Sequence, residues 1–330
     1  MIISKTPYRV SFFGGGTDYP QWYLERGGAV LSTTIDKYCH VTCRALPPFF
    51  KTKYRVVWSH IENVSTIAEI LHPAVREGLK YLGFNGDVGV ELHHYGDLPA
   101  RAGMGSSSTF VVGLFKALLA LKGKTVGVKE LADMAIEFEQ TILKENVGSQ
   151  DQTAAAYGGL NVIHFLKSGE IQVCPVAVST ERIEELESNL MLLYTGTKRL
   201  SSDIAGDFIA NFSKKEAVLK EMEEMVSQAV KILLGQGNIN EFGELLGRSW
   251  KLKRSISDKV STVIVDTIYD IALANGAIGG KLLGAGSSGC MLLFVPPERQ
   301  QQVKGALPTY LHIPFKFENK GSVILYNGDV

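Results

Sequence analysis

The stretch LPARAGMGSSSTF, residues 98–110, sets Gly103 and Gly105 and the three serines Ser106, Ser107 and Ser108 directly before an apolar run, VVGLFKALLALKG. Upstream, DVGVELHHYGDLP alternates Val88, Val90 and Leu92 with polar neighbours, which predicts a strand ending just before Pro99. Downstream, the apolar run predicts a helix from about Ser107 to Lys122. The order strand, proline, glycine-rich turn, helix directs the free N–H groups of the helix start into the turn. Glycines let a phosphate approach the backbone, and serine hydroxyls cap the helix, donate to phosphate oxygens or ligate Mg²⁺. The same residues also suit a capped helix after a flexible turn. A Walker A loop needs Lys after its last glycine, and here Gly105 is followed by Ser106, so the chain is not a P-loop NTPase.

Composition narrows the partners. A chain of 330 residues, 45% hydrophobic and 21% charged, buries a sizeable core and divides most naturally into two domains. Lys+Arg and Asp+Glu both number 34, so no whole-molecule field recruits nucleic acid or an anionic membrane, and any anion must be caught locally. The start, MIISKTPYRVSFFGGG, lacks an apolar core with a small-residue cleavage site, and no window approaches 18 uninterrupted apolar residues. A cytoplasmic location is expected, without membrane or nucleic acid, as a monomer or homodimer. Cys39, Cys43, Cys174 and Cys290 match neither a zinc ribbon nor a disulfide framework.

Strands are expected over residues 7–13 and 28–44, and again at GGLNVIHF, IQVCPVAV and NLMLLYTG. From about residue 200 the texture changes to long helices, the last of which, TVIVDTIYDIALANG, reaches a plausible C′ glycine at Gly276. The final 55 or so residues return to strands, CMLLFVP and VILYN. The class is α+β, with domains expected over 1–185 and 186–330.

Two further patterns bear on chemistry. In a helix expected over 128–145, Glu139 falls beside the stripe of Leu131, Met134, Ala135, Phe138 and Ile142, and a carboxylate there is costly unless paired, hydrogen-bonded or metal-bound. Twelve positions on, NVGSQDQTAAAYGG places Asp151 in what reads as a loop of small residues. The pair suits a division of labour, Glu139 holding Mg²⁺ and Asp151 taking a proton from a hydroxyl, although a salt-bridged flank and an Asx-turn fit them singly. GAGSSG, Gly284 to Gly289, matches G-x-G-x-x-G but precedes the strand CMLLFVPP instead of a helix, so it is no dinucleotide fingerprint. It reads as a second loop lining a site or as a tight bend.

Taken together these pieces resemble the GHMP kinase superfamily, over nearly the whole chain and in the right order. TPYRVSFFGGGTDY looks like its first signature, with Arg9, Gly14, Thr17 and Asp18 in place. Pro99 to Ser107 resembles the second, P-x-x-x-G-L-G-S-S, with Met104 in the Leu position, and KLLGAGSSGC resembles the third, with Ser287 and Ser288 where many members have glycines. The resemblance implies a two-domain fold, with an N-terminal domain like domain 2 of ribosomal protein S5 and a ferredoxin-like C-terminal domain. It also implies an ATP- and Mg²⁺-dependent kinase. Gly103, Met104, Gly105, Ser106, Ser107 and Ser108 would hold the phosphates, Ser107 and Glu139 the metal, and Asp151 would act as base beside Arg9. Gly15, Gly16, Thr17, Asp18, Gly284 and Gly286 would meet the substrate.

Galactokinases carry Glu-His where this chain has Gly15 and Gly16, which argues against galactose. SFFGGGTDYPQWY, KENVGSQDQTAAAYGGLN and WKLKRSIS look like the kinases of D-glycero-D-manno-heptose 7-phosphate, which act on the anomeric hydroxyl. A C1 kinase of an unphosphorylated sugar such as fucose is the alternative, and a silent nucleotide or sugar sensor a third reading. A substrate phosphate needs its own cations. Lys198 and Arg199 are the first candidates, then Lys251, Lys253 and Arg254, with Lys37 and Arg44 behind them.

Overall fold

The computed structural model describes residues 1–100, 102–196 and 215–328. Its first layer is a nine-stranded sheet built on β1 (Ile2–Phe13) and β2 (Gly28–Leu46), which pair antiparallel. β2 is rich in β-branched residues and long enough to serve three partners on its other edge. These are β5 (Gly89–Gly96), β6 (Asn161–Phe165) and β12 (Phe317–Glu318). β3 (Tyr54–Val57) runs parallel to β5 and antiparallel to β4 (Ile61–Val64), while β7 (Ile171–Pro175) extends β6. Helices α1 (Pro20–Arg26), α2 (Pro73–Tyr81), α3 (Ser106–Leu121), α4 (Val128–Glu137) and α5 (Gln150–Tyr157) belong to this half. α3 is apolar on nearly every face because it lies between β1, β2 and its neighbouring helices, with residues Ser108 to Phe115 all buried.

After α6 (Thr180–Ser188) comes a four-stranded antiparallel sheet in the order β11 (Leu311–Ile313), β8 (Leu190–Tyr194), β10 (Cys290–Phe294), β9 (Gly279–Leu282). Helices α7 (Glu216–Leu234), α8 (Asn240–Arg254), α9 (Val263–Ala274) and α10 (Gln300–Ala306) accompany it. α9 does end on Asn275 with Gly276 in the left-handed region, φ +106°. The halves share one core, in which Phe12 and Phe13 of β1 meet Phe242 of α8 edge-on, with ring centroids 5.3 and 5.1 Å apart.

Three expectations change. The chain does not divide cleanly near 185: β12 and β13 (Val323–Asn327) return to the first sheet, pairing with β2 and β1. The helix expected over 128–145 is α-helical only to Glu137 and continues as a π-turn, Phe138–Ile142. Asp151 lies in the first turn of α5, not in a loop. Among the described residues every cysteine is a free thiol, and no helix is long and apolar enough to cross a membrane.

Candidate active site

The glycine-serine turn enters α3 as the sequence predicts, but with different capping. Gly105 is the N-cap, at φ +72°, and no side chain caps the helix. A glycine N-cap leaves the first N–H groups, from Ser106 onward, without a side-chain acceptor at the positive end of a 16-residue helix. That is the chemistry of an anion cradle. Gly103 also sits at positive φ, +75°, and a Cβ there would fall 2.5 Å from the Leu283 carbonyl oxygen.

That contact joins the second signature's loop to the third's. A Cβ on Gly284 would fall 2.6 Å from Gly103 Cα, one on Gly289 would fall 2.6 Å from the Ala102 oxygen, and Cys290 N–H donates to Ala102 O at 2.8 Å. Gly284 thus brings two backbones together, while Gly286, at φ +126°, packs on Val260. Ser287 keeps the glycine-like conformation expected of its position in the motif, φ +57°. We expect Gly103→Ala to lose about 1–3 kcal/mol from its φ alone, read as a lower midpoint in urea denaturation; an unchanged midpoint contradicts this loop packing.

Arg9 and Asp151 form a bidentate pair, Nε to Oδ1 and Nη2 to Oδ2 at 2.7 Å each, and Arg9 Nη1 donates to Gly103 O at 2.8 Å. Arg9 is buried, while Asp151 remains about a quarter exposed (side chain 23%) beside Gly105. One guanidinium therefore fixes both the carboxylate and the Gly103–Gly105 turn, in the planar fork that only arginine provides.

Glu139 is wholly buried in the π-turn, a distortion that often marks function. Its Oε2 accepts from Ser108 Oγ at 2.6 Å and Gln152 Nε2 at 2.5 Å, while Oε1 has no partner among the described residues. Burial pushes the carboxyl up to about 7; the Ser108 hydroxyl opposes this, the Glu145 charge adds to it, and Gln152 and then Ser107 pull it back slightly. The hydroxyl directly bonded to Glu139 is thus that of Ser108, and Ser107 stands exposed at the mouth of the turn.

The GGGTD turn is more structural than the sequence suggests. Thr17 is buried, its hydroxyl donating to Gly14 O at 2.8 Å and accepting from Ala29 N–H at 3.2 Å, so it clamps the turn instead of facing a ligand. Gly14 and Gly16 take positive φ, +81° and +104°, and a Cβ on Gly14 would meet the Ala29 oxygen at 1.8 Å. Asp18 is also buried: Oδ1 accepts Gly16 N–H at 2.9 Å, and Gly148 is so close that a Cβ there would fall 1.9 Å from Oδ2. Burial raises its carboxyl; Gly16 N–H opposes that, the Asp151 charge reinforces it, and a hydrogen bond from the Gln150 side chain lowers it.

Of the basic candidates, Lys198 and Arg199 lie outside the described residues. Lys37, Arg44 and Arg254 are paired with Asp36, Glu91 and Asp266, and Lys251 is exposed. Lys253 alone turns inward, its Nζ donating to Gly284 O and, at 3.4 Å, to Leu282 O. Burial lowers its ammonium to about 8; nearby Arg9 adds to the fall and Asp18 opposes it. Lys281, unremarked in the sequence, is buried beside it and donates to Phe12 O at 2.7 Å.

Residues 67–159 match the model of the GHMP kinases N terminal domain and residues 212–313 that of the GHMP kinases C terminal domain. The chain is 30% identical over 327 residues, 93% of each chain, to the D-glycero-alpha-D-manno-heptose 7-phosphate kinase of Campylobacter jejuni. It is 24% identical to the galactokinase of Pyrococcus furiosus, covering 98% of this chain and 97% of that one. Among solved structures, a D-glycero-D-manno-heptose 1-phosphate kinase from Bacteroides thetaiotaomicron shares the fold over 99% of both chains, at TM-score 0.81 and 24% identity. The fold and site thus define a small-molecule kinase whose phosphate loop is not of the Walker type. The chain belongs to the GHMP kinase family.

Proposed function

We propose that this kinase transfers the γ-phosphoryl group of ATP to the anomeric hydroxyl of D-glycero-D-manno-heptose 7-phosphate, giving the 1,7-bisphosphate. The observation that carries the kinase site is the side-chain-free cap of α3 next to the Arg9–Asp151 pair: an anion cradle and a general base share the Gly103–Gly105 turn. The choice of sugar is supported by the 30% identity to the Campylobacter heptose 7-phosphate kinase.

N–H groups from Gly103 to Ser108 hold the phosphates of ATP. Asp151, oriented by Arg9, accepts the proton of the attacking hydroxyl, and Arg9 keeps the carboxylate aligned with the loop. Lys253 places an ammonium, lowered by burial to about 8, beneath the loop, where the transferring group gathers negative charge. Ring contacts among Trp58, His72, His94 and Phe110, with centroids 4.6 to 5.0 Å apart, make an aromatic wall one turn along α3 that suits a purine base.

The unpartnered Oε1 of Glu139, beside two serine hydroxyls, fits a hard cation with oxygen ligands. Glu139 with Ser107 or Ser108 would hold Mg²⁺, which when bound neutralises phosphate charge. No cluster of three or more acidic, histidine or cysteine groups exists among the described residues, in keeping with one carboxylate and the nucleotide sharing the ion.

ADP release measured with Mg-ATP against heptose 7-phosphate, mannose, fucose and galactose tests the reading. Selective turnover of the heptose phosphate is expected. Preference for an unphosphorylated sugar overturns the choice of substrate while keeping the kinase.

A further inference from the structure

A cavity of about 370 Å³ opens where β3 begins, between the turn after β4 and the turn before β5. Lys53, Tyr54, Ser65, Ile67, Phe84 and Asp87 line it, and none of them belongs to the site described above. Ile67 and Phe84 give it an apolar surface, and the other four bring polar groups. Tyr54 is only 1% exposed, yet its hydroxyl has no hydrogen-bond partner among the described residues, which ordinarily costs stability unless something else serves it. A Cβ on Gly86 would fall 3.6 Å from that oxygen, so the bare glycine stands beside it. Burial, and then the Asp87 charge, raise the phenol, which therefore stays protonated and able to donate. Lys53 is anchored by its carbonyl, which accepts Val90 N–H at 2.8 Å, and its ammonium spends one of three donors on Gly86 O at 2.9 Å.

Two walls of this cavity are the near ends of segments whose far ends make the aromatic wall. β3 runs from Tyr54 into Trp58, and the 3₁₀ turn Ile67–Glu69 leads on to His72. The buried Glu62 of β4 ties those far ends together. Its Oε1 accepts Trp58 Nε1–H at 2.8 Å and His72 N–H at 3.2 Å, and its Oε2 accepts Leu71 N–H at 2.5 Å. A ligand wedged between Tyr54 and Ile67 thus bears on the spacing of Trp58 and His72.

We propose that this cavity is an effector site for a small phosphorylated sugar, coupled to nucleotide affinity. Lys53, exposed at the mouth, takes the phosphate. The Tyr54 hydroxyl donates to one sugar hydroxyl and the Asp87 carboxylate accepts from another, while the C–H face of the ring lies on Ile67 and Phe84. The coupling rests on the purine wall proposed above; the site itself does not.

Mannose 6-phosphate is the probe, with mannose and inorganic phosphate as controls, titrated calorimetrically into full-length wild type, Tyr54→Phe and Lys53→Met. The wild type is expected to bind the probe at least tenfold more tightly than either control. Saturation with it changes the affinity for a non-hydrolysable ATP analogue about fivefold or more, and the analogue changes probe affinity by the same factor. Tyr54→Phe removes only an unpartnered hydroxyl, so it keeps the thermal midpoint while weakening the probe about five- to tenfold; Lys53→Met weakens it about tenfold or more. Both variants keep wild-type turnover in the absence of the probe. No binding to wild type overturns the inference, and so does binding unchanged in both variants, because the probe then sits at the acceptor site. Binding that depends on Tyr54 and Lys53 but leaves analogue affinity unmoved overturns the coupling. Trp58→Ala, which raises ATP KM where the wall seats the purine, shows separately whether that reading has failed instead.

Discussion

Asp151→Asn is expected to cut turnover by about 10²–10⁴-fold, with the affinity for Mg-ATP within about twofold of wild type. The variant keeps the shape of the side chain but has one oxygen instead of two, and its amide nitrogen confronts an arginine donor where the wild type has a carboxylate at 2.7 Å. Both the proton acceptor and the fork that aligns it are lost. The phosphate cradle is retained, because Arg9 Nη1 still holds Gly103 O and the helix N–H groups are untouched. A thermal-shift titration with Mg-ATP beside steady-state ADP release separates the two effects. Turnover near the wild-type level would remove Asp151 as the base.

Glu139→Gln is expected to change stability and activity in opposite directions. The folded-state carboxyl is raised from its ordinary value to about 7, so the folded protein holds a proton that the unfolded chain releases. Its contribution to stability therefore falls as pH rises from about 4.5 through about 7, and above that the full penalty of a buried carboxylate stands. Glutamine carries no such penalty. Without nucleotide, the variant should melt above wild type at pH 8, and the difference should shrink towards pH 5. Activity with Mg-ATP should fall about a hundredfold or more, because the metal loses its carboxylate ligand at Glu139. Equal melting at pH 8, or full activity, contradicts the assignment.

What was legible in the sequence was local. The Gly103–Ser108 turn announces itself because strand, glycines and helix are contiguous, and Glu139 stands out as an acid on an apolar stripe. The π-turn that carries Glu139 leaves no such mark, since inserting one residue into a helical turn alters hydrogen bonds more than the hydrophobic pattern. Asp151 reads as a loop residue because α5 is short and nearly all small residues, buried on most faces and without an amphipathic stripe. Lys253 reads as one of several basic candidates and Lys281 draws no notice, since only tertiary packing turns them beneath the third loop. Thr17 and Asp18 are placed at the substrate by the resemblance alone, and what the residues themselves do not announce is that both are buried and bonded to the turn's own backbone. The return of β12 and β13 to the first sheet is a pairing across nearly the whole chain, which no local periodicity encodes.

The central claim is transfer to the anomeric oxygen of a heptose phosphate. The most direct measurement is the ³¹P NMR spectrum of the product formed from heptose 7-phosphate and Mg-ATP by the wild-type protein. A second sugar phosphorus coupled to the anomeric proton is expected, absent when Asp151→Asn replaces the wild type. A new phosphorus coupled to any other sugar proton, or inorganic phosphate alone, would contradict it.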